Sequence, residues 1–328
     1  EEGVEYKGFQ LSDQIKVGVA HYPTHAINSE LLIQRSLLAL ADSHSFGVNW
    51  HIYDPTIAAM AERRLKLSAA LQHAIHNDEL SLFLQPQVLL CTGQVYGAEG
   101  LLRWQHPDLG FVAPDEFIPI AEASGQINAL TEWVITQGLS YQQEIVKVYP
   151  NHMLSLNISG KDLSRKELIV QLITQLNELS LDPSQIILEI TESVAIAGKG
   201  KLKETIEDYR HLGVKIAIDD YGTGYSSLAY LSELGFDELK VDKQFVMDIE
   251  TSSKNQTICK TTCDMAKSLG SMVVAEGVEN LASYNKLMHY GCDIAQGYFI
   301  SKPIKFEDYM KWLSQANLAI DVKQLLVR

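Results

Sequence analysis

Residues 153–191, MLSLNISGKDLSRKELIVQLITQLNELSLDPSQIILEIT, hold one strand–helix–strand unit. MLSLNIS (153–159) and QIILEIT (185–191) are apolar runs of strand length, and KELIVQLITQLNELS (166–180) carries its apolar residues at helical spacing. Asn157 and Glu189 stand at or near the strand ends. The pattern continues outward in both directions: LSLFLQP (80–86) and VYGAEGLLRW (95–104) before it, and VKIAIDD (214–220), ELKVD (238–242), MVVAEGV (272–278) and IAQGYFI (294–300) after it. Helical stretches such as TICKTTCDMAKSLG (257–270) separate most of them. Eight such strands in about 250 residues have the size and rhythm of a TIM-type barrel. A doubly wound open sheet is the alternative, but no Gly-rich phosphate loop follows the first strand.

Each candidate strand has a polar residue at or near its C-terminal end: Gln85, Glu99 with Arg103, Asn157, Glu189, Asp219 with Asp220, Lys240 with Asp242, Glu276 and Gln296. One acid at a strand end is usually a solvated loop residue; eight polar ends in succession describe a lined mouth. In a parallel barrel all eight ends meet there, where active sites of this fold sit. Six carboxylates (Glu99, Glu189, Asp219, Asp220, Asp242, Glu276) then share one cavity with two cations, Arg103 and Lys240. Two like charges ~5 Å apart repel by roughly 3 kcal/mol at an effective dielectric of ~20. Such a set needs protonated acids or bound metal. With Asn157 it is an all-oxygen donor set, without His or Cys, which suits Mg²⁺ or Mn²⁺ and disfavours zinc or copper. Adjacent acids such as Asp219–Asp220 can serve two ions, an arrangement used in phosphoester cleavage. Lys240 could then orient a water or neutralise the transition state. The stretch DDYGTGYSSLAYL (219–231) reads as a loop that orders this site, with Gly222 and Gly224 bracketing Thr223 and with Ser226 or Ser227 able to cap a following helix.

Composition narrows the partner. Of 328 residues, 27 are Lys or Arg and 41 Asp or Glu, a net charge of −14. So acidic a chain is poorly suited to polymeric nucleic acid, while a small phosphorylated ligand remains compatible if metal carries the positive charge. The spacing of Cys91, Cys259, Cys263 and Cys292 fits neither a zinc motif nor a disulfide framework, so buried reduced thiols are expected. No apolar run reaches the ~18 residues of a membrane span, so no membrane contact is expected of this segment. Residues 1–54 read as a small β-α-β piece with too little core of its own: IKVGVAHYP (15–23), the helix SELLIQRSLLALADS (29–43) with Ser29 as its N-cap, and VNWHIYDP (48–55). A linker helix over 55–79 precedes the barrel domain, 80–328.

In this order, EGLLRW, LNIS, LEITES, DDYGTGYSSL, LKVDK, AEGVE and QGYFISKP resemble the EAL domain family across about residues 64–315. The resemblance implies a modified TIM (β/α)8 barrel with one antiparallel strand. It also implies a metal-dependent hydrolase, a phosphodiesterase that cuts the bacterial second messenger cyclic di-GMP to linear pGpG in signal transduction, with two Mg²⁺ or Mn²⁺ ions. Carried over, it makes Glu99, Asn157, Glu189 and Asp219 ligands of one ion and Asp219, Asp220 and Glu276 ligands of the second. Lys240, Glu276, Asp242 and Glu99 form the catalytic set; Gln85, Leu101, Arg103 and Gln296 hold the dinucleotide. Glu192, with Gly222, Thr223 and Gly224, couples a homodimer interface to the metals. A cyclic di-GMP receptor without turnover is the alternative. Gly100 stands where the family has Ala, which loosens the strand without touching the ligands. Residues 16–55 resemble the tail of a GGDEF domain, which implies an upstream sensory or GGDEF part and a cytoplasmic location, either free or within a longer membrane-anchored protein.

Overall fold

The computed structural model describes residues 4–6, 9–11, 15–197, 201–222, 231 and 233–318. The expectations at Thr223, Gly224, Ser226 and Ser227 lie outside these residues. The chain divides into two compact units, 1–70 and 71–328.

In the first unit, β1 (Val4–Tyr6) and β2 (Phe9–Leu11) pair antiparallel. β3 (Val17–Val19) and β4 (Trp50–Ile52) pair parallel, joined through the helix Ser29–Ser45. This is the β-α-β piece read from the sequence. Its cap is Asn28 rather than Ser29: the Asn28 carbonyl accepts from Leu31 N–H at 2.8 Å, a bond for which asparagine is as good a donor-satisfier as serine. The helix lies so close to β3 that a Cβ on Gly18 would fall 2.1 Å from the Ser36 carbonyl. The alternate positions Val17, Trp50 and Ile52 are exposed, as expected of a fragment with little core. The helix Pro55–His76 follows.

The second unit is a closed barrel. Its strands are β5 (Leu80–Leu89), β6 (Val95–His106), β8 (Met153–Asn157), β9 (Ile186–Thr191), β10 (Lys215–Tyr221), β11 (Glu238–Val241), β12 (Met272–Ala275) and β13 (Ile294–Gln296), with β7 (Gly110–Val112) added as a hairpin on β6. The sheet order β5-β13-β12-β11-β10-β9-β8-β6 closes through β5–β6 pairing. Seven barrel strands run parallel, and β5 is antiparallel to both of its neighbours. Eight C-terminal ends therefore do not meet at one mouth: Gln85 arrives at the level of Glu99 as a mid-strand partner, on a strand running the other way.

Between Gln87–Gly97 and Val88–Val95 the β5–β6 register shifts by one, leaving Tyr96 as the extra residue of a bulge. Tyr96 turns into the barrel floor against Met153, Ile187 and Ala217. Its hydroxyl donates to Glu238 Oε1 on the far wall. At the mouth end of β6, buried Trp104 donates to Glu79 at 3.0 Å and meets Phe117 edge-on, which fixes the strand that carries Glu99 and Arg103. His152 is buried between Gln142 and Tyr309, each at 2.7 Å, tying the helix Ile127–Val146 and the C-terminal helix to β8. Burial pushes its imidazole down to about 3, so it is neutral. Cys259, Cys263 and Cys292 are buried free thiols; Cys91 departs from expectation and is exposed. Among the described residues no helix is long and apolar enough to cross a membrane.

Gly100 does not leave the strand loose. A Cβ there would lie 2.7 Å from Leu156 Cδ2 and 3.3 Å from Leu82 Cδ2, so neighbouring leucines already fill the methyl's place, on the side away from Glu99. Gly100→Ala is therefore expected to destabilise by ~1–2 kcal/mol, as overpacking does. Leu156→Val in the same chain should recover most of the loss, read as melting temperature.

Candidate active site

Parity along the strands sends Glu99, Asn157, Glu189, Asp219, Lys240 and Gln296 inward from six different strands. Glu276, one residue past β12, is fixed by its N–H to Val241 O at 3.2 Å. Lys240 stands at the centre, fully buried. Its Nζ lies 2.6 Å from Glu189 Oε2, 2.7 Å from Glu276 Oε1 and 3.3 Å from both Glu99 Oε2 and Asp219 Oδ1.

Glu99 is the most constrained acid. Asn157 Nδ2 donates to one of its oxygens and Gln296 Nε2 to the other, both at 2.6 Å, and Gln296 Nε2 also reaches Gln85 Oε1 at 3.1 Å. Burial works to raise the Glu99 carboxyl, but Lys240 and these two amides hold it below the ordinary range. Glu189 is raised well above that range by burial and the Glu99 charge beside it. Burial pushes Glu276 up to about 8, against the pull of Lys240 and helped by Asp219 and Glu99. Asp220, half-buried beside Asp219 and Asp242, is pushed up to about 6. Burial penalises the Lys240 ammonium, yet the four carboxylates keep it charged well past the usual lysine range. One cation thus serves more acids than it can neutralise, and the surplus is held as protons.

The acids also form a metal cradle. Ligand oxygens of Glu99, Glu189 and Asp219 lie within 4.8 Å of one another, and Glu189 Oε1 is buried without a protein partner among the described residues. An all-carboxylate donor set with an orphaned oxygen fits a hard divalent cation. Asp220 has a left-handed backbone (φ 57°), a conformation Asp tolerates better than most residues, next to the cradle carboxylate of Asp219. Asp242 caps the short helix Lys243–Val246 through Gln244 N–H at 2.8 Å and stands beside Asp220. Glu192, buried, accepts from Gly222 N–H at 2.9 Å, which ties the end of β10 to the helix after β9.

Above the cluster opens a cavity of about 830 Å³, of small-ligand size. Gln85, Leu101, Arg103 and Gln296 line it with the acids. Arg103 is half-buried near the Phe83 ring at 5.9 Å, its Nη1 bonded to Leu102 O. Sequence reading missed the opposite wall, Pro114, Ile118 and Pro119 of the helix Pro114–Ser124, and missed Lys243 and Tyr298 at the rim. The last two lie inside quoted motifs, LKVDK and QGYFISKP, so their position was the available signal. The floor pair Tyr96–Glu238 had no such signal.

The EAL domain family model matches residues 68–303. The chain belongs to the EAL domain family. It is 32% identical over 315 residues to the cyclic di-GMP phosphodiesterase PA2567 of Pseudomonas aeruginosa, covering 95% of this chain and 54% of that protein. With the cyclic di-GMP phosphodiesterase NbdA of the same organism it shares 34% over 305 residues, covering 92% and 39%. The chain thus spans about half, or less, of the length of these relatives. Among solved structures, the PaMucR phosphodiesterase in complex with c-di-GMP superposes with a TM-score of 0.71 at 34% identity, covering 74% of this chain and 99% of that one. The EAL enzyme Bd1971, bound to cAMP and cyclic-di-GMP, gives 0.73 at 30%, covering 88% and 77%. The family match begins at residue 68, so the likeness of residues 16–55 to a GGDEF tail is not borne out.

The raised acids carry a pH dependence with a definite sign. Without metal, folded Glu276 and Asp220 keep protons that the unfolded chain, with ordinary values of 4.5 and 3.8, has released. The folded state then binds more protons, so stability falls as pH rises from about 5 to about 8. Melting temperature of metal-free protein should fall across that window, and Mn²⁺ should restore it far more at the upper end than at the lower.

Proposed function

We propose that this chain is a metal-dependent phosphodiesterase that hydrolyses cyclic di-GMP to linear pGpG. The observation that carries the reading is the buried carboxylate cup around Lys240 at the base of a nucleotide-sized cavity; the family membership and the relatives' names support it. Glu99, Asn157, Glu189 and Asp219 would hold one Mg²⁺ or Mn²⁺ and Asp219, Asp220 and Glu276 a second, with Asp242 supporting Asp220. Bound there, the metal supplies charge neutralisation at the phosphate and a more acidic water.

The chain's own groups then have distinct tasks. Lys240 Nζ donates a hydrogen bond to the attacking water. Glu276 accepts the water's proton at a carboxylate oxygen. The water oxygen bonds to phosphorus, the P–O3′ bond breaks with its electron pair on O3′, which takes up a proton from solvent to leave as the 3′-hydroxyl, and the phosphate stays on the 5′ side. Arg103 takes a phosphate by its guanidinium, and Gln85, Leu101 and Gln296 position the rings. A homodimer that couples to the site through Glu192 and the backbone at Gly222 belongs to the same reading, as does a cytoplasmic location.

Incubation with cyclic di-GMP and Mn²⁺, with products separated by chromatography, tests the proposal. Linear pGpG should accumulate, and Glu99→Ala should lower the rate by at least ~10²-fold through loss of a ligand. Tight binding with no product would make the chain a receptor instead. Arg103→Ala should raise KM more than it lowers kcat, as loss of uniform binding does.

A further inference from the structure

Glu238 is an acid for which the chemistry above has no use. It is buried at the barrel floor, on β11, two residues before Lys240 and on the same inward face. Tyr96 satisfies Oε1, but Oε2 has no partner among the described residues. Ser155 Oγ, two residues before Asn157 on β8, is also buried and unpartnered. The Lys240 charge already acts on Glu238. Residues two apart on a strand are ~6.7 Å apart, within reach of a lysine side chain.

Lys240 itself is placed awkwardly for a metal site. Its Nζ touches oxygens of all three acids that form the cradle. A divalent cation bonded to Glu189 at ~2.1 Å would lie within ~5 Å of that ammonium. Once those carboxylates turn to metal, the ammonium loses them as counter-charges in a buried site, where an unpaired charge is costly. The acids left to it are Glu276, 2.7 Å away at the mouth and itself beside the cradle, and Glu238 beneath.

We propose that Glu238 is a positioning residue for Lys240: its free Oε2 takes one N–H of the ammonium from below when the upper carboxylates ligate metal. That leaves another N–H for the water above. The proposal rests on the metal-site reading, and its test separates the two.

Mn²⁺ binding is measured by calorimetry, with no nucleotide present, on the wild-type chain, Glu238→Gln, Lys240→Met and the double variant. Gln keeps an oxygen for the Tyr96 hydroxyl, so metal-free melting temperature should stay near wild type. Glu238→Gln should weaken Mn²⁺ binding about tenfold when Lys240 is present and less than twofold in the Lys240→Met background. Equal weakening in both backgrounds, or none in either, overturns the role of Glu238 while leaving the metal site standing. A wild-type chain that takes up no Mn²⁺ overturns the metal-site reading and this inference with it.

Discussion

A single ammonium group buried among four carboxylates is the constraint from which the rest of the structure follows. Lys240 reaches Glu99, Glu189, Asp219 and Glu276 at 2.6–3.3 Å, and the lysine and its four acids arrive on or just past five different strands. Removing either sign from such a set leaves an uncompensated buried charge. The cluster therefore exists only when the barrel is closed, and closure is tolerable only when the cluster is complete. The β5–β6 pairing that shuts the sheet also delivers Gln85 to the level of Glu99, within the same amide network. Fold and site are in this sense one cooperative unit.

Much of this was legible in the sequence, because apolar runs and polar ends are local features. The eight barrel strands fall where their apolar runs stand, differing mainly at their C-terminal limits, and the inward polar residues follow from strand parity. The direction of β5 was not legible from the residues, since LSLFLQP alternates alike whichever way it runs; only the family resemblance anticipated it. Gly100 read as a loosening substitution because the sequence does not show that Leu156 and Leu82 lean into its space. The Asn28 cap differs from the expected Ser29 because two good capping residues stand side by side. Tyr96 and Glu238 are 142 positions apart, and nothing local marks them as partners.

The acidity of the chain also gains a location. Some of the −14 is concentrated in the barrel mouth, where protons and one lysine hold it in check. A cavity so charged repels a bare anion and favours a cation placed among its carboxylates.

The bulge at Tyr96 has a consequence for how this barrel can change. In a regular strand, odd and even positions are locked together, so moving one inward side chain shifts all of them. The extra residue in β6 resets that count below Glu99. On this one strand the floor and the mouth are thereby placed on separate counters. The side chain that β6 sends to the base can be exchanged, lengthened or recharged over evolutionary time while Glu99 above keeps its phase.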